Sequence, residues 1–454
     1  MTNTRQTVDS RLVEAPRSLT RHPDFVRLWA AETISQFGTQ VSLLALPLIA
    51  ATVLQVSPFE FGLLATVEFL PFILVSLPAG VWVDRLRRRP ILILGDLGRA
   101  ALLLSIPVAF AFDALTIWQL YVVGFTSGCL TVFFDVAYQS YLPSLVERDQ
   151  LVEANTKLEI SRSAAQFVGP GLAGIAIAWI GAAISVVLDA LSFIGSAALV
   201  ALIRRPEADP RRAADGSAHP AGPGMRREIG QGLRYVGGNR YLRSIAACTA
   251  TNNLFGNITG AILILYMVRE IGLGPEAIGI VFSIGALGFM AGAFLANRVA
   301  ARIGVGRTIV AGAFLTFPAA LLLAIAPPGL EVPFFIGSGL LGGFSIAIYN
   351  INQVSFRQAI TPERMQGRMN ATMRFIVWGT IPIGATLGGI LGGAIGLRET
   401  IWIGALGSAL PFLFVLFSPV RRIASMPEAA EAEAAAPTAT GGSGGTDPAL
   451  DTEA

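Results

Sequence analysis

Residues 25–54 read FVRLWAAETISQFGTQVSLLALPLIAATVL, and Arg27 and Glu32 are the only charged side chains among them. A helix crossing the hydrocarbon core needs ~20 mostly apolar residues, and this stretch supplies them with room to spare. Its interior polar residues include Glu32, Gln36 and Gln40, spaced i, i+4, i+8, so they share one helix face. A charge at mid-bilayer costs ~2.5–3.5 kcal/mol on insertion scales and therefore faces protein or water. The stretch thus predicts a membrane-spanning helix with one face turned away from lipid.

Outward from it, runs of the same kind recur. Spans are predicted near 25–54, 60–83, 91–112, 118–140, 160–180, 183–203, 243–268, 277–297, 307–327, 332–356, 374–395 and 400–418. The composition agrees: 53% of the 454 residues are apolar and 14% charged, too little charge for a water-soluble surface. The chain divides into a tail (1–24), a six-helix bundle (25–203), a connector (204–242), a second six-helix bundle (243–420) and an Ala/Glu/Gly-rich tail (421–454) expected to be disordered. Within the connector, Met225 to Val236 reads either as an amphipathic helix on the membrane surface or as a solvated linker.

Basic residues set the orientation. Thirty of the 33 Lys and Arg fall in the N-terminal flank, in loops after even-numbered spans, or after the last span. The opposite loops hold Arg269 and Arg398, and Arg99 lies within the third span. Both termini and the arginine-rich loops are expected in the cytoplasm.

The halves are related. A shift of 215 residues brings Asn155 onto Asn370, Gly169 onto Gly384, Gly174 onto Gly389 and Gly181 onto Gly396. A shift of 217 brings Gly62 onto Gly279 and Arg85 onto Arg302. Six spans per half give the halves the same orientation, and parallel repeats build a substrate site at their interface. Polar stripes like that of the first span recur in the fourth (Ser127, Thr131, Asp135), the seventh (Thr249, Asn253, Asn257) and the tenth (Ser345, Tyr349, Gln353, with Asn350 and Asn352 nearby). One stripe could equally be a polar helix–helix contact; four at matching positions favour a hydrated cavity. Glu32, Gln36, Gln40, Ser127, Thr131, Asn253, Asn257, Tyr349, Asn350 and Gln353 are the candidate substrate contacts. A carboxyl held away from water takes up a proton more readily, which makes Glu32 and Glu68 candidate proton carriers. Asp189 reads as well as a structural link between helices, and Asp96 as a partner of Arg99 one turn away.

The loop after the second span is Gly80-Val-Trp-Val-Asp84-Arg85-Leu-Arg87-Arg88-Arg89. It resembles the signature loop of the major facilitator superfamily, G-x-x-x-D-R-x-G-R-R, departing at Arg87 where the pattern has Gly. Ala301-Arg302-Ile-Gly304-Val-Gly306-Arg307 is a second copy that lacks the acid. Gly169-Pro170-Gly171-Leu172-Ala173-Gly174 looks like a shortened Gly-Pro motif of proton-antiporting members. Phe134-Asp135-Val-Ala-Tyr138-Gln139-Ser-Tyr-Leu-Pro143 and the run from Gln353 to Arg368 are similar to the macrolide- and siderophore-exporter branch. The resemblance implies an all-α major facilitator fold of twelve transmembrane helices. It also implies that Asp84, Arg85, Arg89 and Asp135 form a gating network at the cytoplasmic side, although the same arginines could simply fix topology.

Several functions are excluded. Cys129 and Cys248 sit in apolar runs without metal-ligand or disulfide spacing, and His22 and His219 lie in polar segments. With Lys157 as the only lysine, a G-x-x-x-x-G-K-[ST] phosphate loop cannot form. No metal, cofactor or enzymatic activity is expected. The partners expected are a small-molecule substrate, protons and the lipid bilayer, with no nucleic acid, for a monomer in a bacterial plasma membrane. The function implied is proton-coupled efflux of amphipathic small molecules, drug or siderophore, by alternating access. An importer or facilitator of a small polar solute on the same fold is the alternative.

Overall fold

The computed structural model describes residues 19–83, 85–205, 207 and 225–425. The first half contains α1 (Pro23–Leu48), α2 (Pro58–Leu74), α3 (Ser76–Val83), α4 (Arg88–Ala111), α5 (Ile117–Leu145), α6 (Leu151–Ile180) and α7 (Ala182–Ala201). A connector helix, α8 (Met225–Gly238), precedes the second half: α9 (Arg240–Arg269), α10 (Pro275–Ile303), α11 (Val305–Ile325), α12 (Glu331–Ala359), α13 (Glu363–Ile395), α14 (Leu397–Gly407) and α15 (Pro411–Leu416). Among the described residues, eleven helices, counting joined segments as one, are long and apolar enough to cross a bilayer. The twelfth span is the broken pair α2–α3. Pro78 has no N–H to give the carbonyl of Leu74, so the helix opens there and restarts at Ser76.

Local chemistry places the helix ends. Ser57 and Glu60 form a reciprocal cap at the start of α2, each side chain bonded to the other's backbone N–H. Gly181 and Gly396, matched by the 215-residue shift, both take positive φ (84° and 106°) and join consecutive helices without a loop. Several helices outrun their predicted spans at the arginine-rich end: α6 begins at Leu151 and α13 at Glu363. Hydropathy marks the part of a helix in hydrocarbon, and these helices continue through polar sequence.

The two halves repeat one packing scheme. In the first, α1 packs on α6 and α7, α4 on α5 and α7, and α2 on α5. In the second, α9 packs on α13 and α14, α10 on α12, and α11 on α12 and α14. The halves meet through α2 against α13 and α6 against α10. At the first crossing, a Cβ on Gly62 would lie 2.7 Å from the carbonyl oxygen of Ala385 and from Cα of Gly389. At the second, a Cβ on Gly174 would lie 2.5 Å from the carbonyl oxygen of Pro275. Only glycine permits backbones this close. Polar contacts accompany each crossing: the Thr66 and Thr386 hydroxyls lie 2.9 Å apart, and the Gly171 N–H donates to Ser283 Oγ at 2.8 Å. The repeat shifts exchange the two crossings, since Gly62 and Thr66 correspond to Gly279 and Ser283, and Gly171 and Gly174 to Thr386 and Gly389.

Both crossings lie toward the arginine-poor end. There one apolar core runs across both halves, from Leu44 and Leu48 to Ile262, Tyr266, Ile278 and Phe335. Arg269 adds a strap, its guanidinium donating to the carbonyl of Val56 at 2.7 Å and reaching that of Ala51 at 3.4 Å. At the arginine-rich end each half has its own core, one around Phe25, Leu92 and Tyr141, the other around Leu242, Ile309 and Phe356. The molecule is therefore closed at one end and cleft at the other.

The connector helix packs against α13, with Gly232 beside Thr372 and the carbonyl of Arg368, and Val236 buried near Leu242 and Met369. Leu233 and Arg234 are exposed. The expected tail beyond Ser425 and the rest of the connector, apart from residues 204, 205, 207 and 239–242, lie outside the described residues.

Candidate functional site

A cavity of about 870 Å³ penetrates the first half. Helix α1 places Glu32, Gln36 and Gln40 on its wall, as their spacing predicts; α2 adds Glu68, and α5 adds Ser127, Thr131 and Asp135. Among the described residues, all that line it belong to the first half. Gln36 Nε2 donates to Glu32 Oε1 at 2.7 Å, which orients that carboxylate. The Glu68 carboxyl makes no hydrogen bond among the described residues, and Gly124 opposite leaves the side chain room: a Cβ on Gly124 would lie 2.8 Å from Glu68 Cγ. Asp135 is exposed within the cleft.

Three further groups organise the wall. Arg99, buried in α4, pairs with Asp96 at 2.5 Å and lies against Phe134 and Phe193, with 4.5 and 4.1 Å from the guanidinium carbon to the ring centres. Asp189 accepts hydrogen bonds from Ser42 of α1 and from Ser192, tying α1 to α7 as the structural alternative for that residue supposed. Glu159, Arg162 and Gln166 also line the cavity, from the stretch of α6 at its mouth. Pattern alone did not reveal the Arg99 sandwich: Asp96 at i−3 is a visible signal, but Phe134 and Phe193 are remote in sequence.

The second-half stripes are placed differently. Thr249, Asn253, Tyr349 and Asn350 border a separate hollow of about 70 Å³. Thr249 Oγ1 and the Tyr349 hydroxyl lie 2.7 Å apart, Asn253 donates to the Val377 carbonyl at 3.1 Å, and Asn257 to the Asn253 carbonyl at 2.8 Å. Ser345 donates to the Gly312 carbonyl, and Gln353 is buried with Nε2 3.4 Å from Asn350 Oδ1. Most of these polar groups face helices of their own half, so the two sets of stripes do not meet around one space in this conformation.

Of the expected gating residues, Asp84 lies outside the described residues, and Arg85 is exposed at the turn. Arg89 donates to the carbonyls of Val200 (3.3 Å) and Ala201 (2.5 Å) at the end of α7. Glu207, a residue the sequence did not single out, accepts from the N–H groups of Arg88 (2.7 Å) and Arg89 (3.2 Å). It caps α4 and neutralises the positive end of that helix. Arg89 is thus held within its own half here, and Asp135 lies in the cavity.

Comparison with known proteins fits this architecture. The family model described as "Transmembrane secretion effector" matches residues 15–440. The multidrug efflux pump Tap of Mycolicibacterium fortuitum is 28% identical over 418 residues, covering 87% of this chain and 94% of Tap. Macrolide efflux protein A of Streptococcus pyogenes is 22% identical over 414 residues, covering 88% of this chain and 97% of that protein. Among solved structures, a bacterial homologue of the iron transporter ferroportin in its inward-facing state superposes with a TM-score of 0.70 at 17% identity, covering 88% of this chain and 99% of the homologue. The last comparison bears on fold alone. The chain is a multi-pass membrane protein with twelve spans in two parallel repeats, and it belongs to the transmembrane secretion effector family of major facilitator superfamily transporters.

Proposed function

We propose that the protein exports amphipathic, preferentially cationic small molecules in exchange for protons, as a monomer with the arginine-rich end and both termini in the cytoplasm. The observation that carries this reading is the charge of the cavity. Among the described residues, Glu32, Glu68, Asp135, Glu159 and Asp189 line one space with only Arg99 and Arg162 for cations, and Arg99 is already paired with Asp96. Two unit charges 4 Å apart attract by about 4 kcal/mol at an effective dielectric of 20. A carboxylate that takes up a proton loses that hold on a cation, so proton and substrate compete for the same groups. Glu32 and Glu68 are the carriers in this scheme. Gln36, Gln40, Ser127 and Thr131 supply hydrogen bonds to polar parts of the substrate, and Phe72, Leu103 and Phe193 supply apolar wall.

In this orientation the cleft opens to the cytoplasm and the glycine crossings seal the outer side. Substrate enters the cleft; the inner ends then close, bringing Asn253, Asn257, Tyr349, Asn350 and Gln353 toward it, while the outer crossings part. Protonation from outside releases the cargo. Asp84, Arg85, Arg89 and Asp135 form the inner gate in the closed state. The names of Tap and macrolide efflux protein A support the export direction. Uptake of ethidium into proteoliposomes, driven by an imposed pH gradient, tests the scheme. Transport should depend on the gradient and fall at least tenfold in Glu32→Gln and in Glu68→Gln. Gradient-independent uptake, or full activity of the doubly substituted protein, would contradict it.

A further inference from the structure

On the opposite face of the second half, a groove of about 640 Å³ lies between α11, α15 and the turn Pro419–Arg422. Its floor is apolar, with Val310, Phe314, Phe412 and Leu416; the Phe314 and Phe412 rings meet edge to face at 5.1 Å. Its rim at the arginine-rich end carries Arg307, Arg421 and Arg422. Among the described residues, all three are exposed, no acidic residue lines the groove, and none of the three is ion-paired. Arg307 stands in the first turn of α11 and Phe314 seven residues deeper, about 10 Å at 1.5 Å per residue. The groove thus has a cationic mouth at interfacial depth and an apolar slot running into the hydrocarbon.

The mouth is built by the backbone. After the last span the chain doubles over the start of α11: the N–H groups of Gly306 and Val305 donate to the carbonyls of Ile423 (2.9 Å) and Ala424 (3.3 Å). A side chain on Gly306 would collide with the carbonyl of Val420, so glycine there is what lets the turn carrying Arg421 and Arg422 lie beside Arg307. The first half provides the contrast. At the corresponding place, Arg88 and Arg89 open α4 and the chain following α7 returns over them, but there it delivers the carboxylate of Glu207. The second half delivers two more arginines instead. Three cations held together beside an apolar slot at a membrane interface call for an anion from outside, and basic pockets between spans take anionic lipid headgroups.

We propose that this groove is a binding site for an anionic phospholipid of the leaflet at the arginine-rich end, its phosphate on Arg307, Arg421 and Arg422 and one acyl chain along Val310, Phe314, Phe412 and Leu416. The site is independent of the transport scheme. Native mass spectrometry of the full-length protein in detergent, titrated separately with phosphatidylglycerol, cardiolipin, phosphatidylcholine and inorganic phosphate, tests it. The anionic lipids should bind and phosphatidylcholine and phosphate should not compete with them. Neutralising each arginine to glutamine should weaken binding about fivefold, and all three together on the order of 100-fold. Arg298→Gln with Arg302→Gln, outside the groove, should leave binding unchanged. Ala311→Trp, which fills the slot without altering charge, should also abolish binding, while a chain ending at Ser425 should retain it. Equal binding of phosphatidylcholine, displacement by phosphate, or undiminished binding by the triple variant would overturn the proposal. So would loss of binding on removing the tail, because the occupant would then require residues outside the groove.

Discussion

Replacing Gly62 by alanine puts a methyl group 2.7 Å from a backbone oxygen and from a backbone Cα of the opposite half. Neither atom can rotate away. Restoring an ordinary contact of about 3.4 Å requires α2 and α13 to separate by about 0.7 Å, and such overpacking costs ~1–3 kcal/mol. The helix-propensity gain of Gly→Ala, up to ~1 kcal/mol, is present in every conformation that keeps α2 helical and cancels. The cost falls only on the state in which the crossing is closed. The equilibrium should therefore move toward the state open at the arginine-poor end by a factor of about 5–150. Spin labels at Trp118 and Arg398, both exposed at that end, report the change as a longer distance in double electron–electron resonance, in a background where Cys129 and Cys248 are replaced. The repeat relation adds a demand: Gly279→Ala, whose methyl meets the Pro170 carbonyl and Gly174, should act in the same direction. Gly260→Ala, with nothing within 4 Å, should do nothing. Distance distributions for Gly62→Ala and Gly279→Ala that match the unaltered protein, or a Gly260→Ala shift of equal size, would refute the crossings as the closing contacts.

Other perturbations follow from the same geometry. Arg269→Gln removes the strap to Val56 and Ala51; a hydrogen bond from a charged group is worth ~1.5–3 kcal/mol, so the same labels should again report opening at the arginine-poor end. Gly124→Ala crowds the Glu68 side chain at 2.8 Å and should reduce gradient-driven ethidium uptake several-fold while leaving the melting temperature within a few degrees. Glu207→Ala uncaps α4 at Arg88 and Arg89 and should lower stability by ~1–2 kcal/mol, read as an earlier melting transition, whereas Glu207→Gln should recover part of it.

Much of this architecture is visible in the residue string, for identifiable reasons. Hydrocarbon demands long apolar helices, so spans stand out. The i, i+4, i+8 stripes of α1 and α5 line the first-half cavity because a helix presents such residues on one face. The glycine matches at shifts of 215 and 217 mark the crossings, since repeats that pack across a two-fold relation must use corresponding small residues. Pairing Gly62 with Gly389 rather than with its own repeat mate requires the three-dimensional arrangement. The interruption after Leu74 had a signal in Pro71 and Pro78, but length and hydropathy continued through it. The second-half stripes show where pattern stops: Ser345 and Asn253 have the spacing of cavity residues, yet their side chains bond neighbouring backbone carbonyls, a choice set by packing. Glu207 lay in a polar connector among many charges, and its role as a cap depends on the chain turning back over α4.

The exchange of protons for cationic cargo is tested most directly by measuring proton movement itself. Proteoliposomes with a trapped internal pH dye and no imposed gradient should turn alkaline inside when ethidium is added outside, protons leaving as the cation enters. The change should vanish when Glu32 and Glu68 are both glutamine. Ethidium movement with no accompanying proton movement, or proton movement undiminished in the double variant, would contradict the coupling assigned to those two carboxylates.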